Sequence, residues 1–461
     1  MVVDRPLTGA RSSAPGIVPG MTQVVRLGGA QGFYGDAHAP VADLVAAGVD
    51  YVICEALAEL TLAIMQKDRS RDETLGWARD LPLYVAAALP ALIDGSAKFI
   101  TNAGGINPIA AGRAVIDALR AHGVSGLTVA TVVGDDVRGQ AAALGLDDDT
   151  LFANAYLGAG PIVEALAGGA DIVITGRVAD ASLFLAPLIH EFGWAADDWD
   201  RLAAGVTAGH LLECSAQVTG GNYSGDWWVN DDPARAGFPI GEVSADGTLV
   251  ITKPPGTGGR VSFDTVREQL LYEVQDPTAY LNPDVTADFT AVTVTDLGDD
   301  RVEVSGARGG PPPATYKALA CRPAGWFGEA RVAYGWPDAE AKARAAIRIL
   351  RARADSVGMV VQEWHEELFG LNSFGGDTVP EAPDGWEPPE VMARLAWRCE
   401  SPAEASKLAR ETGLLGLGGP PMIASADRSR GGKPSQLLSI TALAVDRAMV
   451  DSQVRVELTP I

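Results

Sequence analysis

Cysteine is scarce in this sequence: four in 461 residues, at Cys54, Cys214, Cys321 and Cys399, with no Cys-x-x-Cys pair. That spacing excludes a disulfide framework and a structural zinc site, and reads as reduced thiols in a cytoplasmic protein. No apolar run approaches the roughly 20 residues that a bilayer-spanning helix requires. Residues 1–22 contain no apolar h-region either, so they read as a disordered lead and not as a secretory signal. Positive charge is short: 36 Lys and Arg against 59 Asp and Glu leave a net charge of −23. Duplex nucleic acid and anionic membranes both select a basic face, so neither is an expected partner. His38, His122 and His365 form no metal-binding spacing. A Gly-x-Gly-x-x-Gly fingerprint and a Gly-Lys-Ser/Thr phosphate loop are both missing, which disfavours dinucleotide and NTP sites of those types.

What is present is enough apolar sequence to build a large core. A hydrophobic content of 47% against 21% charged residues excludes general disorder, and the length implies two or three domains. The first half alternates short β-branched runs with helical stretches. Strands are expected at 24–27, 50–54, 98–101, 127–133 and 171–175, with helices at 40–47, 57–93 (broken near Pro82), 107–122 and 161–166. This pattern predicts an α/β fold, a doubly wound and mostly parallel sheet over residues 23–265. Beyond about Gly220 the texture changes, and a C-terminal α+β domain is expected over 266–461. It includes a hairpin turning at Gly298-Asp299-Asp300 and a helix over 401–412 that begins Ser401-Pro402-Ala403-Glu404. An ungapped repeat aligns Pro40–Ile53 with Pro161–Ile174; each copy reads helix, glycine, aspartate, strand.

Ligands of parallel sheets bind where strands end and helices begin. All five strand ends here carry glycine or carboxylates. Candidate acids and bases are Asp36, Glu55, Glu59, Asp135, Asp136 and Asp180, since crowded carboxylates raise one another's pKa; divalent metal binding is the alternative. Gly104 and Gly105, ahead of Asn107 and Pro108, offer backbone N–H groups to an anion, or else form a tight turn capped by Asn107. Arg177 is the cation best placed to fix a carboxylate or thioester oxygen, or to make an ion pair with a neighbouring acid. His210, Glu213 and Cys214 share a helix face, with His210 as the acid/base and Cys214 as a nucleophile or a core residue. A polar loop at Asn222 and a segment from Lys253 through Gly258 complete the candidate contacts.

The segments Gly29-Ala30-Gln31-Gly32-Phe33-Tyr34-Gly35-Asp36, Asn102-Ala103-Gly104-Gly105-Ile106-Asn107-Pro108 and Thr175-Gly176-Arg177-Val178-Ala179-Asp180 resemble the acyclic terpene utilisation (AtuA-like) family. So do Ala208–Cys214, Thr219–Asn222 and Lys253–Gly259, in family order from about Val24 onward. The resemblance implies a place in the catabolism of branched acyclic terpenoids or other acyl-CoA compounds, and carries over no catalytic residues. Longer relatives have an additional small C-terminal domain; its expected absence here points to a separate partner protein or to dispensability.

The expectation is therefore a cofactor-independent hydratase or dehydratase acting on a small branched carboxylic acid or its CoA thioester. Its catalytic residues would be Glu55, Asp136, Arg177, Asp180 and His210. Gln31, Asp36, Asn102, Gly104, Gly105, Asn107, Asn222, Lys253 and Gly258 would bind substrate. A hydrolase using Cys214 and a non-catalytic ligand-binding subunit are the alternatives. A homo-oligomer is expected; no cofactor is firmly implied, and a divalent metal stays open.

Overall fold

The computed structural model describes residues 23–230, 232–371, 373–378, 383, 385–426 and 433–461; the lead expected over 1–22 lies outside the described residues. The first half runs β1 (Val24–Gln31), α1 (Pro40–Ala46), β2 (Tyr51–Cys54), α2 (Glu59–Arg69), α3 (Leu81–Asp94), β3 (Lys98–Thr101), α4 (Pro108–Ala121) and β4 (Thr128–Val133). It continues with α5 (Ala141–Leu144), β5 (Phe152–Ala155), α6 (Gly160–Ala167), β6 (Ile172–Thr175), α7 (Asp180–Phe192) and α8 (Trp199–Leu212). β2 and β6 are buried along their whole length, as apolar strands covered on both faces must be. The long helical stretch divides between α2 and α3, and Pro82 sits in the first turn of α3, where its missing N–H costs nothing.

The second half comprises β7 (Ile240–Ser244), β8 (Leu249–Thr252), α9 (Phe263–Leu271), β9 (Tyr280–Leu281), β10 (Thr286–Asp288), β11 (Thr293–Gly298), β12 (Arg301–Ser305) and β13 (Arg308–Gly310). Then follow β14 (Thr315–Gly335), α10 (Ala339–Ser356), β15 (Glu363–Phe369), β16 (Glu390–Cys399), α11 (Pro402–Glu411), α12 (Leu415–Gly418), β17 (Ile423–Ala426), β18 (Ser435–Asp446), α13 (Arg447–Asp451) and β19 (Arg455–Pro460). Asp299 and Asp300 both take positive φ between β11 and β12, as a two-residue hairpin turn demands. Ser401 caps α11 by accepting the Glu404 N–H at 3.2 Å.

The protein is a mixed α/β structure with one large sheet, ordered β11-β12-β8-β7-β1-β2-β3-β6-β4-β19. Only the centre is parallel: β1, β2, β3, β6 and β4 pair in parallel, while the flanking strands pair antiparallel. The expectation of a mostly parallel sheet thus holds for the middle and fails at both margins. Hairpin-linked strands supply one margin and the C-terminal strand the other, because neither needs a helical crossover. The chain steps outward from β1 to β4 and then turns back to insert β6 between β3 and β4.

Contacts divide the chain into two units. The larger contains residues up to Gly139, Asn154–Ala318 and Ala444–Ile461; the smaller contains Gln140–Ala153 and Leu319–Leu443. Residues 266–318 and the C-terminal strand, assigned by sequence texture to the second domain, lie in the larger unit. In the smaller unit, α10 and α11 cover a core that includes Tyr334, Leu350, Leu395 and Trp397. The helix–strand repeat folds alike in both copies. Asp50 accepts the Arg26 N–H at 2.7 Å and Asp171 accepts the Thr128 N–H at 2.8 Å. Among the described residues, no helix is long and apolar enough to cross a membrane.

Candidate functional site

Four of the five central strands deliver polar side chains into the interior just past their ends. Glu55 follows β2, Asn102 follows β3, Asp135 lies beyond β4, and Arg177 follows β6. All four are buried. Asn102 ties two of these loops together, donating from Nδ2 to Glu55 Oε1 at 3.0 Å while its Oδ1 accepts the Ala56 N–H at 2.8 Å. Leu57 N–H donates to the same Glu55 oxygen at 2.5 Å. Burial raises the Glu55 pKa well above the usual carboxylate range, Asp180 adds to the rise, and Arg177 opposes it.

Arg177 is the centre of the group. Its guanidinium is fully buried and donates to the carbonyls of Leu57 and Val178 and to the Asp180 carboxylate. Four of its five N–H donors are thereby committed. Its flat face lies 4.3 Å from the centre of the Tyr156 ring. Burial alone would lower its pKa, but Asp180, Tyr156 and Glu55 together raise it, so it stays charged. Its main-chain N–H also donates to Asp135 at 2.8 Å, a carboxylate that accepts from Asn154 Nδ2 at 2.7 Å as well. Burial lifts Asp135 to about 6 despite those two bonds.

The end of α8 brings the second half of the site. His210 is buried, with Nε2 3.3 Å from the Leu270 carbonyl and Nδ1 3.4 Å from Glu213 Oε1. Its ring stacks on Phe289 and lies against Tyr280. Burial pushes its pKa down to about 4. Glu213 is raised well above the usual range by burial, with Asp180 and Glu273 adding to the rise against Arg177. Arg177 is thus one cation facing Glu55, Asp180 and Glu213, and it cannot keep all three ionised. Asp180, with a side chain 35% exposed, is the acid in direct contact with the guanidinium.

Several expected residues serve other ends. Asp136 turns outward, 43% exposed, and pairs with Arg138 at 2.6 Å; the buried member of that acidic pair is Asp135. Gly105 already donates its N–H to Asn102 O at 3.1 Å, and a Cβ on Gly104 would strike the Thr175 carbonyl and Pro108. These glycines allow two loops to touch. Gly32 does the same for β1, since a Cβ there would lie 2.8 Å from the Cys214 carbonyl carbon. Asn107 donates to the carbonyls of Glu73 and Leu75, pinning the loop between α2 and α3. Asp36 braces its own turn by accepting the Gly32 and Ala37 N–H groups. Gln31 is buried and donates to Phe33 O at 3.0 Å. Lys253 binds Thr257 O and Asp300, and Gly258 is held between Arg235 and Gly237. Asn222 is exposed with positive φ.

Sequence reasoning named Asp135 and Glu213 among its candidates but left both out of the catalytic set, and it passed over Tyr156 and Tyr280. The local signals were Asp135's place at a strand end and Glu213's place one helical turn from His210; the two tyrosines had none. Cys214 is partly buried, and burial with the nearby Glu213 pushes its thiol pKa far up, so a thiolate nucleophile is disfavoured. No three His, Cys, Asp or Glu among the described residues are grouped as a metal site would need.

Compared with protein families, residues 25–456 match the model described as "Acyclic terpene utilisation family protein AtuA". The chain belongs to this family. Membership implies a role in acyclic terpene utilisation. Neither the curated proteins nor the solved structures contain a match to this AtuA family chain.

Proposed function

We propose that this AtuA family protein is a hydro-lyase that adds water to, or removes it from, a small branched carboxylic acid or its CoA thioester. The observation carrying this reading is the buried Arg177, which bonds the Asp180 carboxylate while burial pushes the nearby Glu55 and Glu213 carboxyls toward their protonated forms. Elimination of water needs both forms at once: a base for the proton α to the carbonyl and an acid for the departing hydroxyl.

Asp180, paired with Arg177 and partly exposed, breaks the α C–H bond and takes its proton. The electron pair forms the new C=C bond as the C–O bond breaks. Glu55 accepts both of its N–H bonds on Oε1, so its proton sits on Oε2, and that proton leaves with the hydroxyl as water. Arg177 stabilises the negative charge that builds on the carbonyl oxygen. Proton return from Asp180 to Glu55 through solvent resets the site. His210, neutral and bonded at both nitrogens, holds Glu213 in place.

The test is an ultraviolet assay of conjugated enoyl-thioester formation from branched 3-hydroxyacyl-CoA, with the free acids followed by NMR. Asp180→Asn should reduce kcat/KM by at least about 100-fold with the fold retained. Unchanged turnover in that variant would remove Asp180 and the mechanism with it.

A further inference from the structure

The hydrogen bonds around His210 fix where protons lie, and from that what the ligand must carry. The Leu270 carbonyl can only accept, so the proton of the neutral imidazole is on Nε2. Nδ1 then presents a lone pair to Glu213 Oε1, 3.4 Å away, and two lone pairs cannot bond. Glu213 must supply the proton, on Oε1. Its other oxygen, Oε2, is then a pure acceptor; it is buried and has no hydrogen-bond partner. The Glu213 side chain keeps only 10% of its surface exposed. Around it stand Asp180, Glu273, Arg177, Cys214 and Tyr280, and of these only Arg177 is cationic, already committed to other acceptors.

We infer that the ligand carries a hydroxyl group that donates to Glu213 Oε2, so that the site selects a hydroxy acid or hydroxyacyl thioester over its deoxy counterpart. A buried acceptor left without a donor costs about 1–3 kcal/mol, which a hydroxyl in the ligand recovers and a methyl does not. His210 acts here as a positioning residue: it fixes the proton on Oε1 and thereby turns Oε2 toward donors. The inference rests on the same site as the lyase reading and deepens it by naming the group that is recognised.

The experiment is calorimetric titration of the full chain with 3-hydroxy-3-methylbutanoate and its near-isostere 3,3-dimethylbutanoate. The wild type should prefer the hydroxy acid by at least about tenfold. Glu213→Leu should bring the two affinities together, whereas Glu213→Gln, whose amide can donate to Nδ1 and accept from the ligand, should keep the preference. Equal wild-type affinities, no binding of either acid, or a preference that survives Glu213→Leu each overturns the inference. Nitrogen-15 NMR of His210 provides a check that needs no variant: a proton on Nδ1 overturns it as well. Preference without turnover would sink the lyase reading and leave this one standing. Turnover with equal affinities would do the reverse.

Discussion

Arg177 and Asp180 form an ion pair with one buried end and one partly open end, three residues apart at the start of α7. The guanidinium also holds the Leu57 and Val178 carbonyls, so it is as much a structural cross-link as a reactive group. Arg177→Ala leaves those carbonyls unpaired and the neighbouring carboxylates without a cation. We expect a stability loss of about 3–5 kcal/mol, read by urea denaturation. Arg177→Lys keeps the charge without the fork and should fall between Ala and wild type. A near-neutral Ala variant would show that the cross-link contributes little.

His210 gives the protein an acid-sensitive element. Its folded pKa of about 4 lies below the ordinary value of 6.5, so the unfolded chain binds the extra proton between those values. Its stabilising contribution is complete above pH 6.5 and is lost as pH falls toward 4, by roughly 3 kcal/mol. Asp135 works in the opposite direction: raised to about 6, it favours folding at low pH and loses that contribution as pH rises through 6. Comparing wild type with His210→Phe separates the two, because Asp135 is common to both. The wild type should lose more stability than the variant between pH 7 and pH 4. Parallel pH profiles would show that His210 titrates normally.

Gly104 meets the Thr175 carbonyl where the loop after β3 crosses the end of β6. Gly104→Ala should cost about 1–3 kcal/mol through overpacking and shift Asn102 away from Glu55. A thermal melt checks the first effect, and ligand titration the second. Wild-type melting with weakened binding would instead support the anion-cradle role expected of this loop.

Cys214 separates the lyase from the hydrolase. With its thiol held protonated, iodoacetamide should label it far more slowly than a free cysteine at pH 7. Cys214→Ala should retain most of the activity. Rapid labelling that ligand blocks, together with an inactive Ala variant, would favour the nucleophile.

The sequence was legible wherever the information is local. The repeat of helix, glycine, aspartate and strand located β2 and β6, because Gly48 and Gly169 need positive φ and Asp50 and Asp171 bond the neighbouring strand. Glu59 and Asp180 were both legible as acids beyond strand ends, but the sequence could not say that Glu59 pairs with an exposed Lys317 while Asp180 meets Arg177. Asp135 and Asp136 are adjacent acids of one type, and only the path of the chain after β4 turns one inward and the other to solvent. Glycine in the strand-end loops suggested an anion cradle; the tertiary structure uses it for backbone contacts between segments far apart in the chain. Composition, periodicity and turn residues determined which elements form, since each depends on a few neighbouring side chains. The order of the sheet decided which carboxyls share one guanidinium, because burial and charge proximity exist only after distant strands have been brought side by side.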